Sequence, residues 1–259
     1  MVHFVGAGPG ASDLITVRGD RLLREADVVI YAGSLVNPEL LKGCRTDCAV
    51  YDSAYMTLEE VLEVIRDAER RGEMTVRLHT GDPSIYGAIR EQMDALDRMG
   101  IAYDVCPGVS SFCGAAAALN LEYTLPEVSQ SVIITRMEGR TKVSEKESIR
   151  SFAAHQATMV LFLSTGLLEE LSGELIAGGY KEDTPAAIVY KASWPEEAVY
   201  RCTVGTLAAT AREKGAARTA LIVVGRVLDT GKDSGYERSR LYAPEFDTMF
   251  RNGSGKEGK

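Results

Sequence analysis

Basic charge is scarce in this chain, which has 29 Lys and Arg against 37 Asp and Glu and a formal net charge of -8. Lacking a general basic field, it is not expected to bind nucleic acid, and an acidic ligand would require a local cationic pocket. Histidine is scarcer still, at 3, and tryptophan occurs once. The 5 cysteines form no C-x-x-C pair: Cys44 and Cys48 are too widely spaced, and so are Cys106 and Cys113. With so few imidazoles to complete a ligand set, no metal site is expected, and the cysteines read as small buried hydrophobes. No apolar run reaches the roughly 20 residues of a membrane helix. No signal peptide is visible either, so the expected setting is a reducing cytoplasm where the thiols stay free. A G-x-S-x-G nucleophile elbow is missing, and no Ser/His/Asp set can be assembled from the spacing.

What is present is alternation. The chain has 259 residues, 45% of them hydrophobic, enough for one large or two small domains. Strands are expected at 2–5, 28–31, 75–79 and 102–106, each followed by helix-forming sequence, and this alternation implies a parallel sheet. Thr57 and Glu60 form a capping box before Leu58, Val61, Leu62, Ile65 and Ala68, which recur at helical spacing until Gly72. The pattern lapses over 120–130. Further strands are expected at 132–135, 159–163, 187–190, 199–204 and 220–224, with helices near 145–154, 167–177 and 206–214. No helix separates the strands at Ala187 and Val199, so the second sheet should be mixed. The reading is α/β in class: a mostly parallel N-terminal domain over 1–120, a mixed-sheet domain over 121–230 and a C-terminal tail over 231–259.

The stretch Arg77 to Gly87 organises the first domain. It leaves an apolar strand, turns on Gly81-Asp82-Pro83 and is expected to enter a helix carrying Ile85, Ile89 and Leu96. Gly81 admits a backbone conformation closed to other residues, Asp82 can accept from free helix NH groups, and Pro83 suits a first helical turn. Turns at the carboxyl ends of strands in open sheets are where α/β proteins hold ligands. Ser110 and Ser111 lie on the next such turn, where they serve as a helix cap or meet a ligand. Near the start, Gly6-Ala7-Gly8-Pro9-Gly10-Ala11 fits the dinucleotide pattern G-x-G-x-x-G/A. Two features count against that reading: the second strand ends Tyr31-Ala32-Gly33-Ser34 with no carboxylate for a ribose, and Pro9 removes one NH from any phosphate nest. Arg136, Arg140, Lys142 and Lys191 flank strand ends in the second half, either as solvated loop residues or together as a seat for an acidic substrate.

Four motifs in order carry a resemblance: Val5-Gly6-Ala7-Gly8-Pro9-Gly10, Thr80-Gly81-Asp82-Pro83, Cys106-Pro107-Gly108-Val109-Ser110-Ser111, and Ala220-Leu221-Ile222-Val223-Val224-Gly225. Together, over about residues 2 to 250, the chain resembles the tetrapyrrole methyltransferases that use S-adenosylmethionine. Within that family, 31–36, 135–141, 190–195 and the tail 242–251 look like the branch that methylates C11 of precorrin-4 or cobalt-precorrin-4 on the way to vitamin B12. The resemblance implies a two-domain tetrapyrrole methylase fold, a homodimer, and S-adenosylmethionine held in a cleft between domains. Carried over by motif, the cofactor would touch Gly81, Asp82, Ile85, Tyr86, Ser110 and Ser111, with Leu163, Ala192 and Ala220 added by strand position. Pro9 would line the tetrapyrrole trough, and Arg136, Arg140, Lys142 and Lys191 would clamp substrate carboxylates. His79, Asp104 and Tyr86 are candidates to take a proton, and the sequence does not choose among them. A methyltransferase acting on another tetrapyrrole of the pathway, an NAD-binding oxidoreductase and a non-catalytic tetrapyrrole carrier remain the competing readings.

Overall fold

The first strand, β1 (Val2–Gly6), is buried at every position, as expected of a strand inside a parallel sheet covered on both faces. The computed structural model describes residues 1–139, 141–216, 219–229, 239 and 243–253. By its internal contacts the chain divides into two units: Met1–Ala118 with Lys191–Ala198, and Leu119–Tyr190 with Val199–Lys259.

In the first unit β1 is followed by α1 (Val17–Glu25), β2 (Val28–Tyr31), β3 (Ala49–Asp52), α2 (Leu58–Arg70), β4 (Thr75–His79), α3 (Arg90–Met99), β5 (Tyr103–Cys106) and α4 (Ser111–Leu119). The strands lie in the order β3-β2-β4-β1-β5, and every pairing is parallel. Val5, Leu23, Val29, Val76 and Leu78 fill the core on one face, while Phe4, Ile30, Ile65 and Leu96 fill the other. The capping box of α2 forms as expected: Glu60 NH donates to Thr57 Oγ1 at 3.3 Å, and Thr57 NH donates to the Glu60 carboxylate at 2.7 Å. From β1 the chain proceeds to β2 on one side of the sheet, and from β4 it proceeds to β5 on the other, although β1 and β4 are neighbours. Their carboxyl ends therefore form a topological switch point, the place where open α/β sheets leave a crevice.

Two elements depart from the sequence expectation. β3 was not anticipated, since it is a four-residue edge strand with Val50 and Tyr51 partly exposed, too short and too wet to give a periodic signal. The helix expected from Pro83 begins only at Arg90. Tyr86 at φ 56 and Ala88 at φ 50 take left-handed backbone, which ends any helical run, so Asp82 and Pro83 shape a turn instead.

The second unit holds β6 (Val132–Arg136), α5 (Ile149–Ala153), β7 (Thr158–Phe162), α6 (Leu168–Ala177), β8 (Pro185–Tyr190), β9 (Ala198–Thr203), α7 (Leu207–Lys214) and β10 (Ala220–Val224). Its sheet runs β6-β7-β10-β8-β9, with β6 and β7 parallel and β10 antiparallel to both β7 and β8. The α/β class with one parallel and one mixed sheet is therefore as expected. Met159, Leu161, Leu171, Leu175, Ile188, Leu207 and Ile222 form its core. No helix among the described residues is long and apolar enough to cross a membrane.

Candidate functional site at the first sheet's switch point

Three loops meet at the carboxyl edge of the first sheet with backbone against backbone. Ala7 NH donates to His79 O at 2.7 Å, Gly81 NH to Gly8 O at 2.8 Å and Gly8 NH to Gly81 O at 3.3 Å. Glycine is required here: Gly8 and Gly81 have φ of 80 and 61, and a Cβ on Gly108 would fall 2.1 Å from Gly81 O. The same bonds dispose of the dinucleotide reading. Ala7 and Gly8 NH are used within the fold, Pro9 has none, and Ala11 NH donates to Ser193 Oγ at 3.0 Å, so the loop forms no phosphate nest.

Asp82 ties the central turn together. Its Oδ1 accepts from Ser84 NH at 2.8 Å and from the Ser84 hydroxyl, and its Oδ2 accepts from Gly108 NH at 2.8 Å. Burial pushes the carboxyl's pKa up, but the bonds from Ser84 and Gly108 outweigh it and hold the group below its ordinary range. Beyond it come half-buried Ile85 and exposed Tyr86. On the neighbouring turn Ser110 is buried, and Ser110 and Ser111 backbone atoms lie 3.4 to 3.5 Å from where a Gly81 Cβ would stand.

The segment Lys191–Ala198 closes over the glycine loop. Trp194 Cδ1 would lie 2.2 Å from a Cβ on Gly10, Ala192 is buried near Gly10 and Gly114, and Asn37 Nδ2 donates to Gly10 O at 2.8 Å. Pro9 packs on Gly114, where an added Cβ would come within 2.9 Å of it. Lys191 Nζ lies 3.5 Å from Glu196 Oε2 and 5.7 Å from the centroid of the Trp194 ring.

The first unit thus gathers Pro9, Gly81, Asp82, Ile85, Tyr86, Ser110, Ser111, Lys191 and Ala192 around its switch point. The second unit places Arg136, Leu163 and Ala220 on one edge of its own sheet. Arg136 ends β6, Leu163 follows β7 at φ 52 and 70% exposed, and Ala220 opens the antiparallel β10 opposite Tyr190. Lys142 is exposed, and Arg140 lies outside the described residues. The Arg136 guanidinium donates to the carbonyls of Met137 at 3.1 Å, Thr141 at 3.3 Å and Lys142 at 3.4 Å, so it also orders its own loop.

Of the three candidate proton acceptors, His79 is 4% exposed with its Nε2 unbonded among the described residues. Burial, helped by the Arg77 charge, pushes its pKa down to about 3, which keeps the imidazole neutral. Asp104 is bonded through Oδ1 to His3 Nδ1 at 2.7 Å, and Tyr86 is 48% exposed. Sequence reasoning overlooked the Asn37, Ser193 and Trp194 contacts to the glycine loop, because Ala11 and Ser193 are 182 residues apart and leave no local signal.

A family model described as tetrapyrrole (corrin/porphyrin) methylases matches residues 1–208. The cobalt-precorrin-4 C(11)-methyltransferase of Methanocaldococcus jannaschii is 50% identical over 250 residues, 96% of this chain and 95% of that one. The precorrin-4 C(11)-methyltransferase of Pseudomonas aeruginosa is 43% identical over 252 residues, 97% and 99% of the two chains. The X-ray structure of a cobalt precorrin-4 methyltransferase matches with a TM-score of 0.86 at 46% identity, covering 88% of this chain and 95% of that one. The uroporphyrin-III C-methyltransferase of Thermus thermophilus, solved with S-adenosylhomocysteine, matches at a TM-score of 0.72 and 28% identity, covering 88% and 92%. A match that runs unbroken from β1 into α7, with relatives this similar from end to end, leaves one assignment: the chain belongs to the tetrapyrrole (corrin/porphyrin) methylase family.

Proposed function

We propose that this chain is an S-adenosylmethionine-dependent C-methyltransferase that methylates C11 of precorrin-4 or cobalt-precorrin-4 in cobalamin biosynthesis. The observation that carries this reading is the switch-point turn of small and acidic residues in a chain that matches, nearly end to end, relatives named for that reaction.

The turn suits such a donor. Gly81, Ser110 and Ser111 bring small residues together there, so a ligand can approach the backbone closely, and Thr80 Oγ1, just before the turn, is buried with no hydrogen-bond partner among the described residues. Gly81, Asp82, Ile85, Tyr86, Ser110, Ser111, Leu163, Ala192 and Ala220 would hold the cofactor, as the family resemblance implies. Bound there, S-adenosylmethionine supplies a methyl group already activated on a sulfonium. The protein's task is then to orient an electron-rich ring carbon, and positioning of this kind supplies several kcal/mol. Asp82 serves by ordering the turn, since both its oxygens accept bonds from its own chain. Arg136, Arg140, Lys142 and Lys191 would meet the acetate and propionate groups of the macrocycle, and Pro9 would line its trough. We further propose a cytoplasmic homodimer.

Anaerobic incubation with S-adenosylmethionine and either precorrin-4 or its cobalt form, read by mass spectrometry, should show one added methyl group. S-adenosylhomocysteine should bind and NAD(H) should not. The reverse binding pattern would indicate an oxidoreductase, and macrocycle binding without turnover a carrier; either result overturns the proposal.

A further inference from the structure

Arg77 lies in β4 with its side chain turned into the core and is 6% exposed. Among the described residues no carboxylate lies within ion-pair distance of it. Its guanidinium instead donates to Ile30 O at 2.9 Å, Ser53 Oγ at 3.0 Å and Gln92 Oε1 at 3.1 Å. Ser53 Oγ passes the chain on to Tyr31 O at 2.9 Å. Gln92, on α3 and 5% exposed, donates from Nε2 to Ala88 O at 3.1 Å. The amide orientation is forced, because a guanidinium has only donors and a carbonyl only accepts. Burying a cation among neutral acceptors is expensive, which calls for a role beyond packing.

Ala88 is where the network ends, and it is one of two non-glycine residues in left-handed backbone between β4 and α3, the other being Tyr86. Such conformations persist only where their surroundings over-determine them. Asp82 fixes the beginning of the segment 82–89 through Ser84, and Gln92 reaches its end. We infer that Gln92, held by Arg77, is a positioning residue that sets the loop presenting Ile85 and Tyr86 to S-adenosylmethionine; the ligand half of this inference rests on the function proposed above.

Gln92→Glu separates the role from simple packing. The carboxylate keeps an acceptor for Arg77 and removes the donor to Ala88 O. The variant is expected to melt within a few degrees of the parent, bind S-adenosylhomocysteine roughly fivefold to tenfold more weakly, as loss of one partly buried hydrogen bond implies, and raise KM for S-adenosylmethionine but not for the tetrapyrrole. Backbone amides at 85–89 should exchange hydrogen faster in the ligand-free protein. Gln92→Leu, read below its own melting point, should behave the same way and serves if the glutamate variant does not fold. S-adenosylhomocysteine affinity within twofold of the parent, or unchanged exchange at 85–89, would overturn the inference. Failure of the parent protein itself to bind S-adenosylhomocysteine would instead overturn the functional reading, and the ligand-free exchange would still decide whether Gln92 sets the loop.

Discussion

A neutral imidazole buried beside a guanidinium makes His79 the residue whose titration the fold opposes most directly. Its folded pKa of about 3 lies below the ordinary value, so between about pH 3 and pH 6.5 the unfolded chain binds the extra proton. Stability from this group is therefore complete above about pH 6.5 and falls as the pH drops through that window, by at most about 1.4 kcal/mol per pH unit. Urea midpoints measured at pH 7 and pH 5 should differ less in His79→Gln than in the parent, whatever the substitution does uniformly. Asp82 acts in the same direction at lower pH: its folded pKa is depressed, so its contribution is present above the ordinary carboxylate range and lost as acid protonates it. At this scale the turn itself was legible, because Gly81 and Pro83 restrict the backbone locally, whereas the Asp82 bond to Gly108 and the late start of the following helix were not. The neutrality of His79 was not either, since it depends first on burial by neighbours brought together only by folding and only second on the nearby Arg77 charge.

Among the elements, α2 was the most readable from sequence: its cap, its apolar stripe and its terminating glycine are all contiguous. Thr57→Ala removes one half of the capping box and should cost about 1 kcal/mol. A lowered melting temperature with unchanged S-adenosylhomocysteine affinity is the expected result, because α2 contributes no residue to the switch point. The loop after β6 should respond in the opposite way. Arg136→Ala frees the carbonyls of Met137, Thr141 and Lys142 and removes a cation from the strand edge. Steady-state kinetics should show a higher KM for the tetrapyrrole and an unaltered KM for S-adenosylmethionine. β3 and the delayed start of α3 escaped the sequence reading for different reasons. The first is a short wet edge, and the second turns on left-handed angles at Tyr86 and Ala88 that neither residue type advertises.

Across the whole molecule, the chain passes between its two units at 118/119, 190/191 and 198/199. The only tryptophan, Trp194, is carried by the short excursion and packs on Gly10. Gly10→Ala would drive a methyl group into the indole, and the fluorescence of the folded variant should shift to the red as the ring is displaced toward water. Sequence alone conveyed the alternation of both halves, but not that 191–198 belongs with the first, because periodicity carries no information about pairing at such distances. The excursion also bears on synthesis. A ribosome that has finished residue 118 must add the chain through residue 198 before the glycine loop receives its cover, a wait of about 4 to 16 s at ordinary elongation rates. Until then the nascent N-terminal half is an unfinished vessel, and this interval is where chaperone dependence and premature aggregation of this protein should concentrate.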